Sequence, residues 1–137
     1  MSKSRWLVKS EPTVYAFETL QKDGRTVWDG VRNNTAAMHL RAMKAGDEVF
    51  FYHSQEGLAV VGIARVSKEA FPDVTDPKGR FVAVELEPVR PLKSPVTLAA
   101  MKANPKLAEM KMLTLFRTSV SPVTEAEWAE ILRMAGE

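Results

Sequence analysis

Hydrophobic and polar positions recur at two different intervals along this chain, and the change between them predicts where helices and strands lie. Residues 4–9 predict a first strand, which ends before Pro12 because proline cannot donate a hydrogen bond to a β-ladder. A short helix is predicted over 14–22, where Val14 is followed by apolar residues at nearly helical intervals. Residues 26–28 then predict a brief extended segment.

The next stretch has helical periodicity and recognisable signals at both ends. Over residues 35–44, three apolar side chains share one face, namely Ala36, Leu40 and Met43. Asn33 or Asn34 can cap the start of this helix, and Gly46 ends it. The pattern therefore predicts a second, amphipathic helix.

From residue 47 onwards the interval changes to that of strands. Residues 49–53 and 58–66 are rich in β-forming side chains and are joined through residues 55–57, which predicts a hairpin. Apolar and polar positions alternate over 81–87, as in a strand with one buried face.

The last third of the chain predicts two helices and one more strand. Thr97 can cap a short helix that reaches Lys102, and a final strand is predicted over 115–121. Thr124 and Glu127 have the spacing of a capping box, so the last helix is expected to begin there. Apolar residues on one face of that helix are Trp128, Ile131, Leu132 and Ala135.

The order of the predicted elements is β-α-α-β-β-β-α-β-α, which is not the alternation of a parallel βαβ fold. Short turns between neighbouring strands favour antiparallel pairing instead. We therefore expect an α+β fold, built as a curved, mostly antiparallel sheet or barrel with helices packed on its outside. No repeat or long linker interrupts residues 1–137, so a single domain is predicted.

Composition narrows the chemistry, because the 137 residues include no cysteine and only two histidines. Disulfides and thiolate catalysis are excluded, and we expect no metal site and no cofactor. The net charge is +2, but residues 125–137 carry four acidic groups and one basic group. The remainder of the chain is more basic than the total, which permits a phosphate-bearing partner.

The N-terminal residues do not have the pattern of a secretory leader. Only three apolar residues stand between Arg5 and Lys9, and no run of eighteen apolar residues occurs later. We therefore expect a cytoplasmic protein that has no membrane partner.

Asp29, His53 and Ser54 supply the residue types of a hydrolase triad, but their arrangement argues against one. His53 and Ser54 are neighbours at a strand end, so their side chains are expected to point in opposite directions and not to share a proton. No nucleophile elbow or phosphate-binding glycine loop is present in the sequence. These residues favour a protein that is not an enzyme. The alternative is a small hydrolase or transferase acting on a nucleotide-like substrate.

Polar and aromatic residues gather where the predicted strands end. An aromatic platform, amide or carboxylate groups and arginines together are typical of a pocket for a flat heterocycle beside a phosphate. The sequence therefore predicts a binding site of this kind, without catalytic or metal-binding residues. The candidate binding residues are Lys9, Ser10, Glu11, Trp28, Arg32, Asn33, His53, Ser54, Phe71, Asp73 and Arg117.

Several collinear stretches resemble the EVE domain family of the PUA-like superfamily. They include WLVKSEP at 6–12, WDGVRN at 28–33 and LRAMKAGD at 40–47. Shorter similar stretches are FFYHS at 50–54, VGIA at 61–64, FPD at 71–73 and RTSVSPVT at 117–124. Because these stretches span nearly the whole chain in order, the resemblance is specific.

The resemblance implies a PUA-like barrel, related to YTH domains, that binds nucleic acid and holds a modified nucleobase in a pocket. That base would be a modified cytosine in DNA or a modified base in RNA, and a separate effector protein could act beside such a reader. By the same resemblance, Trp28 stands where a cage tryptophan is found in YTH domains. The resemblance also implies that Lys9, Ser10 and Glu11 form one edge of the pocket. His53 and Ser54 would form a second edge. Contacts to phosphate or base would come from Arg32, Asn33 and Arg117.

Overall fold

One mixed sheet of six strands organises the molecule, in the order β2-β5-β4-β3-β1-β6. The computed structural model describes residues 4–115 and 118–137. The strands are β1 (Arg5–Ser10), β2 (Thr26–Trp28), β3 (Glu48–His53), β4 (Ala59–Pro72), β5 (Val82–Thr97) and β6 (Val120–Val123). β1 and β3 run parallel, and the other neighbouring strands are antiparallel. The α+β class is confirmed. A closed barrel is not, because no pairing between described residues joins β2 to β6.

Helices cover both faces of this sheet. They are α1 (Phe17–Asp23), α2 (Asn34–Ala42), α3 (Leu98–Ala103), α4 (Lys111–Thr114) and α5 (Glu125–Met134), with a 3-10 turn at Pro105–Leu107. Apolar residues of α1 and α2 belong to one buried cluster, and those of α3, α4 and α5 belong to another. The sheet therefore lies between two layers of helices. Among the described residues, no helix is long and apolar enough to cross a membrane.

The central strand β3 is buried on both sides, which explains its continuous run of large apolar residues. Val49 and Phe51 face the cluster that contains α1 and α2, whereas Phe50 and Tyr52 face the opposite cluster. The ring of Phe50 stacks on that of Trp128, with centroids 3.7 Å apart. This contact joins α5 to the sheet and places the predicted apolar face of the last helix in the core.

The first helix begins at Phe17, three residues later than the sequence predicts. The backbone N–H groups of Val14 and Tyr15 both donate to the carbonyl of Glu11, so these residues form a turn. Val14 is 77% exposed and is not part of the helix face, while Phe17 is buried. A side-chain Cβ at Gly62 would overlap the Phe17 ring, so this glycine lets α1 lie directly against β4.

The predicted helix caps agree with the structure. The Asn33 side chain accepts a hydrogen bond from the backbone of Ala36, so Asn33 rather than Asn34 caps α2. Thr97 caps α3 in the same way, and Thr124 forms a complete capping box at the start of α5. These short-range signals were readable because each depends on neighbouring residues only.

Two strands and the segment before β6 differ from the prediction. β4 and β5 continue to Pro72 and Thr97, because their long pairing accommodates prolines where its register shifts. The predicted strand over 115–121 begins too early, since β6 begins at Val120 and Leu115 stands in the turn that ends helix α4. Residues 118 and 119 precede the strand, and residues 116 and 117 of the prediction lie outside the described residues.

Candidate functional site

An open cavity of about 660 Å³ lies where β1 ends, α1 begins and β2 leads into α2. We call it the first cavity. The segments after β1 and after β2 both border it, although three strands separate β1 from β2 in the sheet. Its lining residues are Lys9, Ser10, Glu11, Val14, Tyr15, Thr26, Val27, Trp28, Asp29, Gly30, Val31, Arg32, Asn33 and Ser119.

Two aromatic side chains form one wall of the first cavity. Half-buried Trp28 packs edge-to-face against Phe51, with ring centroids 5.5 Å apart at 83°. Tyr15 meets Trp28 at 6.5 Å and 81°, and its hydroxyl donates to the carboxylate of Asp23 at 2.9 Å. Burial raises the pKa of Tyr15, so this hydroxyl remains a donor near neutral pH. The two rings are thus held nearly at right angles, and Trp28 both packs against the core and lines the cavity.

The polar end of β1 forms another part of the cavity lining. The Ser10 hydroxyl donates to the carbonyl of Tyr15 at 2.7 Å, which ties this edge to the aromatic wall. Lys9 lies with its ammonium 6.0 Å from the centre of the Tyr52 ring, and burial lowers the pKa of this lysine. Glu11 is exposed beside them. The edge therefore offers a cation, a carboxylate and a fixed hydroxyl within a few residues.

A buried carboxylate organises the rim formed by residues 29–33. Asp73 accepts hydrogen bonds from the backbone N–H of Gly30 at 2.8 Å and from Nη1 of Arg32 at 3.0 Å. It also accepts from the backbone and hydroxyl of Thr75 at 2.8 and 2.6 Å. Burial alone would raise the pKa of Asp73, but the hydrogen bonds from Thr75, Gly30 and Arg32 outweigh it and hold the pKa far below its usual range. Asp73 is therefore ionised and fixes this rim.

Arg32 is consequently held in one orientation at the mouth of the first cavity. Its guanidinium lies 5.3 Å from the centre of the Phe81 ring, and Nη2 donates to the Thr75 hydroxyl at 3.0 Å. Arginine has five N–H donors, and Arg32 directs three of them toward Val31, Asp73 and Thr75. The side chain remains 40% exposed, so it can still meet an anion.

A second cavity of about 520 Å³ adjoins the first across the end of β1. It shares the lining residues Lys9, Glu11 and Ser119 with the first cavity. The remaining lining residues are Tyr52, Ser54, Gln55 and Leu58, which come from the end of β3 and the turn that follows. Because Ser54 donates its backbone N–H to the carbonyl of Ser10, the two strand ends are fixed beside each other.

The structure brings most of the predicted site residues together. Those that line the first cavity are Lys9, Ser10, Glu11, Trp28, Arg32 and Asn33, and Ser54 lines the second. The Asn33 side chain is already engaged as the cap of α2. Asp73 acts from behind the rim and lines neither cavity, since its side chain is fully buried.

Three other predicted residues do not line either cavity or cannot be placed. His53 turns toward α1, where its Nε2 accepts the backbone N–H of Phe17 at 3.1 Å. Burial lowers the pKa of His53, and the charge of Glu18 opposes this shift weakly. Phe71 lies in β4 with the Lys68 ammonium 5.8 Å from its ring centre. Arg117 lies outside the described residues.

Some lining residues were not predicted from the sequence. Tyr15 was assigned to the helix α1, although it stands in the turn before that helix and faces Trp28. Gln55 was treated only as part of a hairpin turn, and Ser119 only as a member of the last strand. Their positions depend on the pairing of β1 with β3 and β6, which no local pattern reveals.

A sheet that carries an open cavity with an aromatic wall, a polar edge and a fixed arginine defines a small binding domain. Comparison with known proteins agrees with this class. The EVE domain family model matches residues 4–134, nearly the whole sequence. The chain belongs to the EVE domain family.

Similar proteins are found in bacteria and animals. Rpa0253 from Rhodopseudomonas palustris is 48% identical, and its NMR structure superposes with a TM-score of 0.92, covering 97% of this chain and 93% of that one. Human thymocyte nuclear protein 1 is 33% identical over 165 residues, which cover 96% of this chain and 73% of that protein.

Human THYN1 has also been crystallised in complex with DNA that contains 5-methylcytosine. That structure is 32% identical to this chain with a TM-score of 0.93, covering 98% and 99% of the two chains. ASCH from Zymomonas mobilis, at 12% identity and a TM-score of 0.58 over 95% and 94% of the chains, shares the fold alone.

Proposed function

We propose that this protein is a non-enzymatic nucleic-acid-binding domain that holds a modified nucleobase in the first cavity. The observation that carries the proposal is that one cavity is lined by Trp28, by the polar end of β1 and by Arg32, whose guanidinium is fixed by Asp73. A base has an aromatic face, hydrogen-bonding edges and a phosphate on each side, and each of these has a counterpart here.

The size of the first cavity suits a nucleoside. Small-molecule sites commonly enclose about 300–1,000 Å³, and the first cavity, at about 660 Å³, has room for a base with its sugar. A base inside a duplex cannot enter such a site, so the bound nucleotide is either single-stranded or turned out of the helix. Trp28 would then stack on the base, and Arg32 would contact an adjacent phosphate.

The choice of modification is guided by a relative. Human THYN1 has been crystallised with 5-methylcytosine-containing DNA, so we propose 5-methylcytosine in DNA as the first ligand to test. A modified base in RNA is the second. One methyl group in an apolar pocket contributes about 1–3 kcal/mol, so selectivity over the unmodified base is expected to be modest.

The geometry of the first cavity gives little support to the alternative function, a hydrolase or transferase. Ser10, a hydroxyl in the first cavity, donates to the carbonyl of Tyr15 and not to a side-chain base. His53 is turned away and accepts a backbone N–H from Phe17. Neither residue is arranged as a nucleophile with its base.

A binding panel tests the proposal. Fluorescently labelled DNA and RNA oligonucleotides, each with one modified or unmodified cytosine, are titrated with the protein at constant salt. We expect the modified DNA to bind about five- to a hundredfold more tightly and to be recovered intact by chromatography. Equal affinity for modified and unmodified strands, or consumption of the oligonucleotide, would refute a modified-base reader.

A further inference from the structure

We propose that the second cavity is a subsite for the nucleotide next to the modified base, so that the domain reads a neighbouring base as well. This inference rests on the proposed function of the first cavity. It assigns a chemical role to Gln55 and Leu58, which lie outside the first cavity and have no other partner side chain among the hydrogen bonds and ion pairs of the described residues.

The two cavities adjoin each other at the end of β1. Three residues, Lys9, Glu11 and Ser119, line both cavities and so form the boundary between them. A strand whose one base occupies the first cavity must place an adjoining nucleotide close to this boundary. The half-buried ammonium of Lys9 lies between the two positions, where the connecting phosphate is expected.

The chemistry of the second cavity also suits a base. Tyr52 borders the cavity from within the core, where it is fully buried, and Leu58, which is 40% exposed, adds apolar surface at the rim. Ser54 and Gln55 supply groups that donate and accept hydrogen bonds. A carboxamide can form two hydrogen bonds with the N6 and N7 edge of adenine, so adenine is the expected neighbour.

The backbone at Gln55 provides an independent observation. Its φ is +70°, and it is the single non-glycine residue with positive φ in the described part of the chain. This conformation strains any residue with a side chain, whereas glycine would adopt it freely. The local backbone therefore favours glycine, yet the residue at this turn is a glutamine. A binding function of the Gln55 side chain accounts for this choice of residue.

The test varies one neighbour of the modified base at a time. Single-stranded DNA oligonucleotides carry one 5-methylcytosine, with each of the four bases placed on its 5′ side or on its 3′ side. Affinities are measured for the wild type, for Gln55→Gly and for the matched control Glu56→Ala. Glu56 stands in the same turn but lines neither cavity, so its loss should change all affinities by one common factor.

We expect the wild type to prefer adenine on one side by about fivefold or more. Gln55→Gly should remove that preference while melting at the same temperature or higher, because glycine relieves the positive φ. Glu56→Ala should retain the preference. A preference for any other base that Gln55→Gly also removes would still support a subsite in this cavity.

Two results would overturn the inference while leaving the proposed function intact. One is tight binding of 5-methylcytosine that does not depend on either neighbour. The other is a neighbour preference that persists unchanged in a folded Gln55→Gly protein. If the wild type binds no modified strand more tightly than its unmodified counterpart, the proposed function fails, and the subsite fails with it.

Discussion

The contrast between the two tryptophans Trp28 and Trp128 tests the assignment of the first cavity. Trp128 is 5% exposed and stacks on Phe50. Trp28 is half-buried, contacts Phe51 edge-to-face and lines the first cavity. Truncation to alanine should therefore affect folding at residue 128 and binding at residue 28.

The expected magnitudes follow from burial. Replacing a fully packed tryptophan by alanine costs about 3–5 kcal/mol of unfolding free energy, which is the range we expect for Trp128→Ala. A half-buried tryptophan removes about 100 Å² of apolar surface from water, so Trp28→Ala should cost about 2 kcal/mol. Loss of a stacking partner for one base should weaken binding by a further 1–3 kcal/mol, about five- to a hundredfold.

The assay pairs two measurements on each variant at one salt concentration. Urea denaturation gives the free energy of unfolding, and fluorescence anisotropy with a 5-methylcytosine oligonucleotide gives the affinity per folded molecule. Trp28→Phe is the conservative control and should recover part of the binding, since it keeps an aromatic face. If Trp28→Ala loses as much stability as Trp128→Ala and yet binds with full affinity, Trp28 is a core residue and the base does not stack on it.

Three further predictions concern charge, hydroxyl burial and pH. A plot of the logarithm of affinity against the logarithm of salt concentration should have a slope of about −2 to −4. Arg32→Gln should reduce the magnitude of this slope by about one. A salt-independent affinity would exclude nucleic acid as the partner. Tyr52→Phe should raise the free energy of unfolding by about 1 kcal/mol in urea denaturation, because the buried Tyr52 hydroxyl has no hydrogen-bond partner among the described residues. Burial lowers the pKa of His53, whose neutral Nε2 accepts the N–H of Phe17, so stability should be complete above about pH 6.5 and fall as pH drops toward the lowered pKa. His53→Gln should show a smaller decline in thermal melts between pH 7.5 and 5, and an equal decline would mean that His53 does not contribute.

Local patterns predicted the fold well where the determining residues are close in sequence. The capping box at Thr124 and the cap at Asn33 were both readable because each involves residues three positions apart. The start of α1 was misplaced because Val14 has helical spacing from Phe17, yet its backbone joins a turn closed by Glu11. The periodicity of a sequence shows which side chains are apolar. It does not show which carbonyl group accepts the hydrogen bond from a given backbone N–H.

The candidate site residues were selected because they stand at the ends of predicted strands. Two of them lie elsewhere in the structure, for one physical reason. Trp28 and Arg32 were selected because they flank a strand-to-helix connection, and both line the first cavity. Asp73 was expected to contact the ligand, but it lies buried behind the rim and orients Arg32 instead. His53 was expected at an edge, but its ring turned toward α1. Both depend on packing across the sheet, which sequence spacing does not encode.

The sheet forms the scaffold, whereas the segments between the strands line the cavities. The fold by itself therefore says little about the ligand. The ASCH structure of Zymomonas mobilis shares this architecture at 12% identity, so the sheet tolerates nearly complete replacement of its residues. The residues that line the two cavities stand mainly at the ends of strands: residues 9–11 after β1, residues 28–33 after β2 and residues 54–58 after β3. Asp73 fixes the second of these segments, because one carboxylate binds both Gly30 and Arg32. Under the proposed function, specificity therefore resides in three short segments, while a single buried charge fixes the position of Arg32 at the rim.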